Sequence, residues 1–194
     1  LGWGIELPNI VDVEQKVLKY IVGQDKQVRQ ILTAIYRAKC FRNIKSNILI
    51  VGNSGTGKTE TIKQIAKGLG IPYTIEDATK YTQEGYEGAN VNDMIYNLLE
   101  SADYDLEVAQ NGIIVIDEID KKAGSGIVND VAGSEVLKSL LKIIEGTTIR
   151  LPDPTKSVFS KKMINFRTED LIVIFTGAFS GLEKIREERL DKNR

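Results

Sequence analysis

Residues 52–59 read Gly52-Asn53-Ser54-Gly55-Thr56-Gly57-Lys58-Thr59, and no other stretch of this 194-residue chain limits its fold so strongly. The segment follows the apolar run Asn47-Ile48-Leu49-Ile50-Val51 and opens the helical pattern Glu60-Thr61-Ile62-Lys63-Gln64-Ile65-Ala66-Lys67. A G-x-x-x-x-G-K-T loop between a strand and a helix is the context a phosphate-binding loop requires. Glycines let backbone N–H groups close around phosphate oxygens, and the helix N-terminus adds its partial positive charge. A lysine placed as Lys58 is reaches the β- and γ-phosphates, and the hydroxyl of Thr59 can ligate Mg²⁺. An accidental glycine-rich turn is the alternative. At ordinary residue frequencies it would arise in roughly one chain of this length per hundred, and the correct flanking elements make it rarer. Nucleotide is therefore expected at Gly52, Asn53, Ser54, Gly55, Thr56, Gly57, Lys58, Thr59 and Glu60.

The chain is long enough for one α/β domain with a full core. Its 42% hydrophobic and 27% charged residues are those of an ordinary soluble protein. A formal net charge of −1 supplies no electrostatic footprint for nucleic acid or for an anionic membrane. No apolar run approaches the roughly 20 residues of a membrane span, and no basic-then-apolar leader is present. With no histidine and a single cysteine, Cys40, the sequence excludes a zinc finger, a Ser–His or Cys–His nucleophile and an internal disulfide. Cys40 is expected to be half-buried, and a reducing cytoplasm is the natural compartment. The chain begins Leu1-Gly2-Trp3, without methionine, so it is expected to be a piece of a longer product.

Hydrophobic periodicity orders the rest. Residues 1–19 read as a lead-in, with Asp12 as the N-cap of a helix over 13–20 that puts Val13, Val17 and Tyr20 on one face. Ile21-Val22-Gly23-Gln24 interrupts it, and a second helix is expected over 25–41 with Val28, Ile31, Leu32, Ile35 and Tyr36 together. The helix of the phosphate loop should end at Gly68 or Gly70. A short strand over 72–76 precedes a polar loop, 79–90, and one long helix over 91–110 follows, with Met94, Ile95, Leu98, Leu99 and Ala102 as its stripe. Gly112-Ile113-Ile114-Val115-Ile116 is a continuous apolar run, as in a strand buried on both faces. A glycine-spotted loop over 123–133 leads to a helix over 135–145, capped by Ser134 and ended by Gly146. Residues 147–151 and 163–167 form a hairpin pattern, 171–176 a third buried strand, and 182–194 a charged helix. Strands alternating with helices predict a parallel sheet with helices on both faces, plus a small β-hairpin.

The strand 112–116 runs directly into Asp117-Glu118-Ile119-Asp120. A phosphate loop needs an acid at the end of a neighbouring buried strand to hold Mg²⁺ through water, and Asp117 is placed for that. A second carboxylate beside it, Glu118, can polarise a water for in-line attack on the γ-phosphate. An acidic helix start is the plainer reading, but the apolar run and the upstream phosphate loop argue for hydrolysis. Thr176 ends the next buried strand, where its hydroxyl could touch the attacking water or the γ-phosphate.

The segment 113–121, preceded by Asp103-Tyr104-Asp105 and Ala109-Gln110, resembles the large ATPase domain of the ClpX-type AAA+ unfoldases. So do Ile21-Val22-Gly23-Gln24, Gly85-Tyr86-Glu87-Gly88, Leu140-Leu141-Lys142-Ile143-Ile144-Glu145-Gly146 and Gly177-Ala178-Phe179. The HslU-type unfoldases share some of these segments. The resemblance runs in order from about residue 20 to 182. It implies a P-loop NTPase three-layer sandwich, ATP and Mg²⁺ as ligands, and a hexamer in the full-length protein. Protein substrates and a possible peptidase partner are implied as well. It also implies that Ile21 and Val22 line the adenine pocket, that Thr176 is the sensor residue beside the acidic pair, and that Lys58 and Glu118 act in hydrolysis. Gly85, Tyr86, Glu87 and Gly88 would form the pore loop, with Tyr86 gripping polypeptide, and 128–135 would lie near a second pore loop.

Two residues depart from the family pattern. Glu87 stands where an aliphatic residue is usual, and Asn129 where a basic one is expected. An acidic ring of Glu87 copies should favour basic or polar substrates. No counterpart of the family's zinc-binding N-terminal domain is expected within these 194 residues. The sequence stops before the family's arginine finger, peptidase-docking loop and small helical domain, so this segment alone is expected to turn over nucleotide weakly or not at all. A nucleotide-gated switch without translocation is the alternative. A nucleic-acid motor is disfavoured by the near-neutral charge.

Overall fold

The computed structural model describes residues 7–40, 45–80, 91–123, 140–157 and 159–179. Its elements in chain order are α1 (Ile10–Leu18), α2 (Asp25–Cys40), β1 (Asn47–Val51), α3 (Lys58–Leu69) and β2 (Tyr73–Asp77). After a short 3₁₀ turn, Ala78–Lys80, come α4 (Val91–Ser101), α5 (Leu106–Gln110), β3 (Ile113–Asp117) and α6 (Ile119–Ala123). A helical segment over 140–145 leads to β4 (Thr148–Pro152), β5 (Met163–Arg167) and β6 (Ile172–Gly177).

The strands β1, β6, β3 and β2 form a four-stranded sheet in that order, and every pairing is parallel. Side chains alternate across a strand, and here each set meets its own layer of helices. Ile113, Val115, Ile172 and Ile174 face a core built with Val13, Val17, Val28, Leu32, Ile62 and Ile65 of α1, α2 and α3. Ile114, Ile116 and Val173 face the opposite core, with Leu98 and Leu99 of α4, Ile143 of the segment 140–145, and Leu151 and Phe166 of the hairpin. Burial on both faces explains why β3 and β6 read as unbroken apolar runs. The α/β sandwich with helices on both faces is as expected, and β4 and β5 pair antiparallel as the small hairpin.

Four details differ from the sequence reading. The first helix starts earlier, because Asn9 rather than Asp12 caps it: its side-chain oxygen accepts the Val11 N–H at 2.8 Å. That helix ends at Leu18, which leaves Tyr20 exposed instead of on the buried face. The single helix expected over 91–110 is broken, since Asp103 and Tyr104 turn left-handed at φ 51° and 62° and Asp105 caps a new helix. Ala102 before the break and Leu106 and Ala109 after it pack on the same core, so the apolar stripe continues although the helix does not. Cys40 is exposed rather than half-buried, at the last turn of α2.

Gly70 and Gly146 end their helices in the left-handed conformation, at φ 66° and 83°. The expectations for 81–90, 128–135 and 182–194 lie outside the described residues, and Gly85, Tyr86, Glu87, Gly88 and Asn129 are among these.

Candidate functional site

Strand order assembles the site. β1 carries the phosphate loop at its C-terminal end, β3 carries Asp117 and Glu118, and β6, which ends in Thr176-Gly177, lies between them. In a parallel sheet all three strand ends open on one edge, where such folds bind ligands. There Ser54, Gly55, Gly57, Lys58, Asp117 and Glu118 line a cleft of about 280 Å³ together with Thr59, Gly177 and Ala178, near the small end of ligand pockets.

The phosphate loop is bent by Gly55 and Gly57, whose φ values of 78° and 75° favour glycine. Gly57 sits at the N-cap of α3, so the helix opens toward the cleft. Lys58 is only 7% exposed. Its ammonium donates to the carbonyls of Gly52 at 2.6 Å and Asn53 at 2.7 Å, which curls the loop around the charge. Asn53 also accepts the Thr56 hydroxyl through its carbonyl at 2.8 Å. Glu60, in the first turn of α3, faces Gln64 at 2.6 Å and Lys63 at 3.6 Å. The Gln64 hydrogen bond is the main reason its carboxyl lies below its ordinary value, ahead of the opposing effect of burial.

Asp117 is the hub. The Thr59 hydroxyl donates to its Oδ2 at 2.6 Å, and the hydroxyl of fully buried Thr176 donates to its Oδ1. The Glu118 N–H adds a third bond, to Oδ1 at 2.9 Å. Burial pushes the Asp117 carboxyl up. Hydrogen bonds from Thr176, Thr59 and the Glu118 N–H, with the charge of Lys58, outweigh burial and hold it below its ordinary value. Glu118 stands in the left-handed region at φ 56°, unusual for a residue with a side chain. Its carboxylate meets Lys121 at 2.5 Å, with the two side chains 37% and 52% exposed. A pair this open to water is weak, so it does not commit Glu118 to that partner.

The donor set suits a hard, hydrated cation. Thr59 and Asp117 supply one hydroxyl and one carboxylate kept charged, and no group of three His, Cys, Asp or Glu side chains forms a closed cage among the described residues. Mg²⁺ fits such a site, since it keeps several waters and takes one or two carboxylates plus phosphate oxygens.

Lys58, Thr59, Asp117, Glu118 and Thr176 are thus brought together, and Ser54, Gly55, Gly57, Lys58, Thr59 and Glu60 line one side of the cleft, whereas Gly52, Asn53 and Thr56 are not among its lining residues. Ile21 and Val22 lie on the turn between α1 and α2. Ile21 packs on the core, whereas Val22 is 86% exposed. The turn is tied to the phosphate loop by Gln24, whose side-chain amide donates to the Thr56 carbonyl at 2.8 Å. Its Oε1, buried beside Gly57, has no hydrogen-bond partner among the described residues. Sequence reasoning gave no role to Gln24, to Asp120 or to Gly177. Only its place in the Ile-Val-Gly-Gln segment singled out Gln24, because its contact spans 32 residues.

The family described as AAA domain (Cdc48 subfamily) matches residues 43–194. The ATP-dependent Clp protease ATP-binding subunit ClpX of Bacteroides thetaiotaomicron is 37% identical, over 96% of this chain and 49% of its own. Its counterpart from Bacteroides fragilis is also 37% identical, over 96% and 48%. That of Porphyromonas gingivalis is 35% identical, over 96% and 49%. The chain spans about half the length of these relatives. With the parallel sheet, the phosphate loop and the acidic strand end in place, these likenesses show that the chain belongs to the AAA family, as a ClpX-type AAA+ protein.

Proposed function

We propose that this chain is the large ATPase domain of a ClpX-type motor that spends ATP to unfold proteins. The observation that carries the reading is the convergence on Asp117: Thr59 from the phosphate-loop helix and Thr176 from β6 both donate to its carboxylate. ATP would lie with its phosphates in residues 52–60 and its adenine near Ile21 and Val22. Mg²⁺, held by Thr59 and through water by Asp117, would neutralise charge on the β- and γ-phosphates.

Lys58 would turn its ammonium from the loop carbonyls to phosphate oxygens. Glu118 would accept a proton from the water that attacks the γ-phosphorus, and Thr176 would steady Asp117 while reaching the same region. Ile116 and the buried strand behind it keep the acidic pair at a fixed depth. In the full-length protein, a hexameric ring would pass polypeptide past Tyr86 of the pore loop. Protein substrates are its partners, a peptidase is a further one, and the cytoplasm its compartment. Among the described residues no helix is long and apolar enough to cross a membrane. The switch module without translocation is less well supported, because the relatives named above are subunits of a protease.

The test is ATP turnover and nucleotide binding by the full-length protein with Glu118→Gln. Turnover should fall at least roughly a hundredfold, the usual scale of general-base loss, while ATP still binds. Unchanged turnover would remove Glu118 from its role.

A further inference from the structure

Asp120 takes no part in the chemistry above, yet it lies within the same cleft. Its carboxylate crosses from the first turn of α6 to the end of β6. There its Oδ2 accepts the Phe179 N–H at 3.0 Å. Gly177 is wedged against it: a Cβ at this position would lie 2.5 Å from Asp120 Oδ1 and 2.8 Å from Phe179 Cε2. Phe179 itself is left-handed, at φ 50°, a conformation that a residue with a side chain keeps only where its surroundings fix it.

The clamped turn joins all three parts of the site. The residue before it, Thr176, bonds Asp117. The carbonyl of Gly177 accepts the N–H of Gly52, the first residue of the phosphate loop, at 3.1 Å. One carboxylate therefore fixes the backbone to which both the acidic strand end and the phosphate loop are tied.

We propose that Asp120 is a positioning residue for hydrolysis of the nucleoside triphosphate. By holding the Gly177-Ala178-Phe179 turn, it keeps Thr176 on Asp117 and Gly177 on Gly52, so that the halves of the site hold their spacing through turnover. This rests on the ATPase reading. What the clamp needs is an acceptor oxygen and a close fit to Gly177, so Asp120→Asn should work where Asp120→Ala does not.

The experiment compares wild type, Asp120→Ala, Asp120→Asn and Gly177→Ala in the full-length protein. It follows steady-state ATP turnover, affinity for fluorescent ADP, thermal melting, and amide exchange at Phe179. Asp120→Ala should lose about tenfold or more in kcat, with KM and ADP affinity within about threefold and a cooperative melt retained. Asp120→Asn should recover to within about threefold of wild type, and exchange at Phe179 should quicken in Asp120→Ala and Gly177→Ala but not in Asp120→Asn. Gly177→Ala, which forces a methyl against the carboxylate, should lose kcat as Asp120→Ala does.

Wild-type kcat in Asp120→Ala, or Asp120→Asn as impaired as Asp120→Ala, would overturn the proposal. If Asp120→Ala does not fold, the Asp120→Asn recovery and the Gly177→Ala loss decide it. A wild type that binds but does not hydrolyse ATP would fail the ATPase reading instead. Phe179 exchange would then still report on the clamp, and unchanged exchange would overturn it.

Discussion

Thr176→Val keeps the volume of a fully buried side chain and deletes one hydroxyl. The deleted group donates to Asp117 Oδ1, while Thr59 at 2.6 Å and the Glu118 N–H at 2.9 Å remain. A hydrogen bond to a charged group contributes about 1.5–3 kcal/mol. Because Asp117 is only half-buried and keeps two other donors, the lower end of that range, about 1.5–2 kcal/mol, is expected. If the bond gains its full strength only in the transition state, the same energy corresponds to a loss of roughly 10–30-fold in turnover.

The pH dependence has a definite sign. The folded-state pKa of Asp117 lies below its ordinary 3.8, so the carboxylate stabilises the fold above that pH. That stabilisation is lost as pH falls through the folded value. Thr176→Val raises the folded pKa toward 3.8, so the stability gap between variant and wild type should be full at neutral pH and close below about pH 4. Urea unfolding across that range and steady-state ATP turnover of the full-length protein measure both effects. A gap under about 0.5 kcal/mol at neutral pH, together with turnover within twofold of wild type, would refute Asp117 as the hub.

Gly112→Ala should cost about 1–3 kcal/mol in urea unfolding, because the new Cβ would meet Leu98 Cδ1 at 2.7 Å and the carbonyls of Ala109 and Pro72 at 2.9 and 3.0 Å. A stability within error of wild type would mean that this junction has more room than its geometry shows. Asn9→Ala removes the N-cap of α1 and should lower stability by about 1 kcal/mol, whereas Asp12→Ala, inside the helix, should cost less; the reverse order would return the cap to Asp12. If residues 85–88 act as the proposed pore loop, Glu87→Val should raise processing of substrates with acidic tails relative to basic ones, measured as competing degradation or unfolding rates. Equal handling of both tails before and after the change would remove charge from substrate choice.

The sheet and most of the site were legible because their signals are local. The phosphate loop spells its turn in consecutive residues, the apolar run of β3 ends on Asp117, which lines the cleft, and that of β6 runs into Thr176, which bonds Asp117. Sequence pattern also paired the hairpin correctly, with β4 shifted by one residue at both ends. The break between α4 and α5 is hidden in the sequence because the four-residue spacing of Met94, Leu98 and Ala102 is continued by Leu106 on its far side, which packs on the same core. The clue lay in Asp103-Tyr104-Asp105, where Asp105 caps the new helix by accepting the Val108 N–H at 3.0 Å. The roles of Gln24 and Asp120 were not legible, because their partners lie 32 and 59 residues away and depend on how the strands are ordered. Gly177 read as the start of a family segment, and only the nearby carboxylate shows why a side chain does not fit there.

If the proposed function holds, nucleotide turnover at Asp117 and Glu118 drives translocation of polypeptide. The most direct measurement is ATP-dependent unfolding of a tagged folded protein by the full-length protein, wild type against Tyr86→Ala, with ATP hydrolysis followed in the same reactions. The account predicts that wild type unfolds the substrate, and that Tyr86→Ala loses unfolding while it still hydrolyses ATP. Hydrolysis by both proteins with equal unfolding, or with none from either, would contradict it.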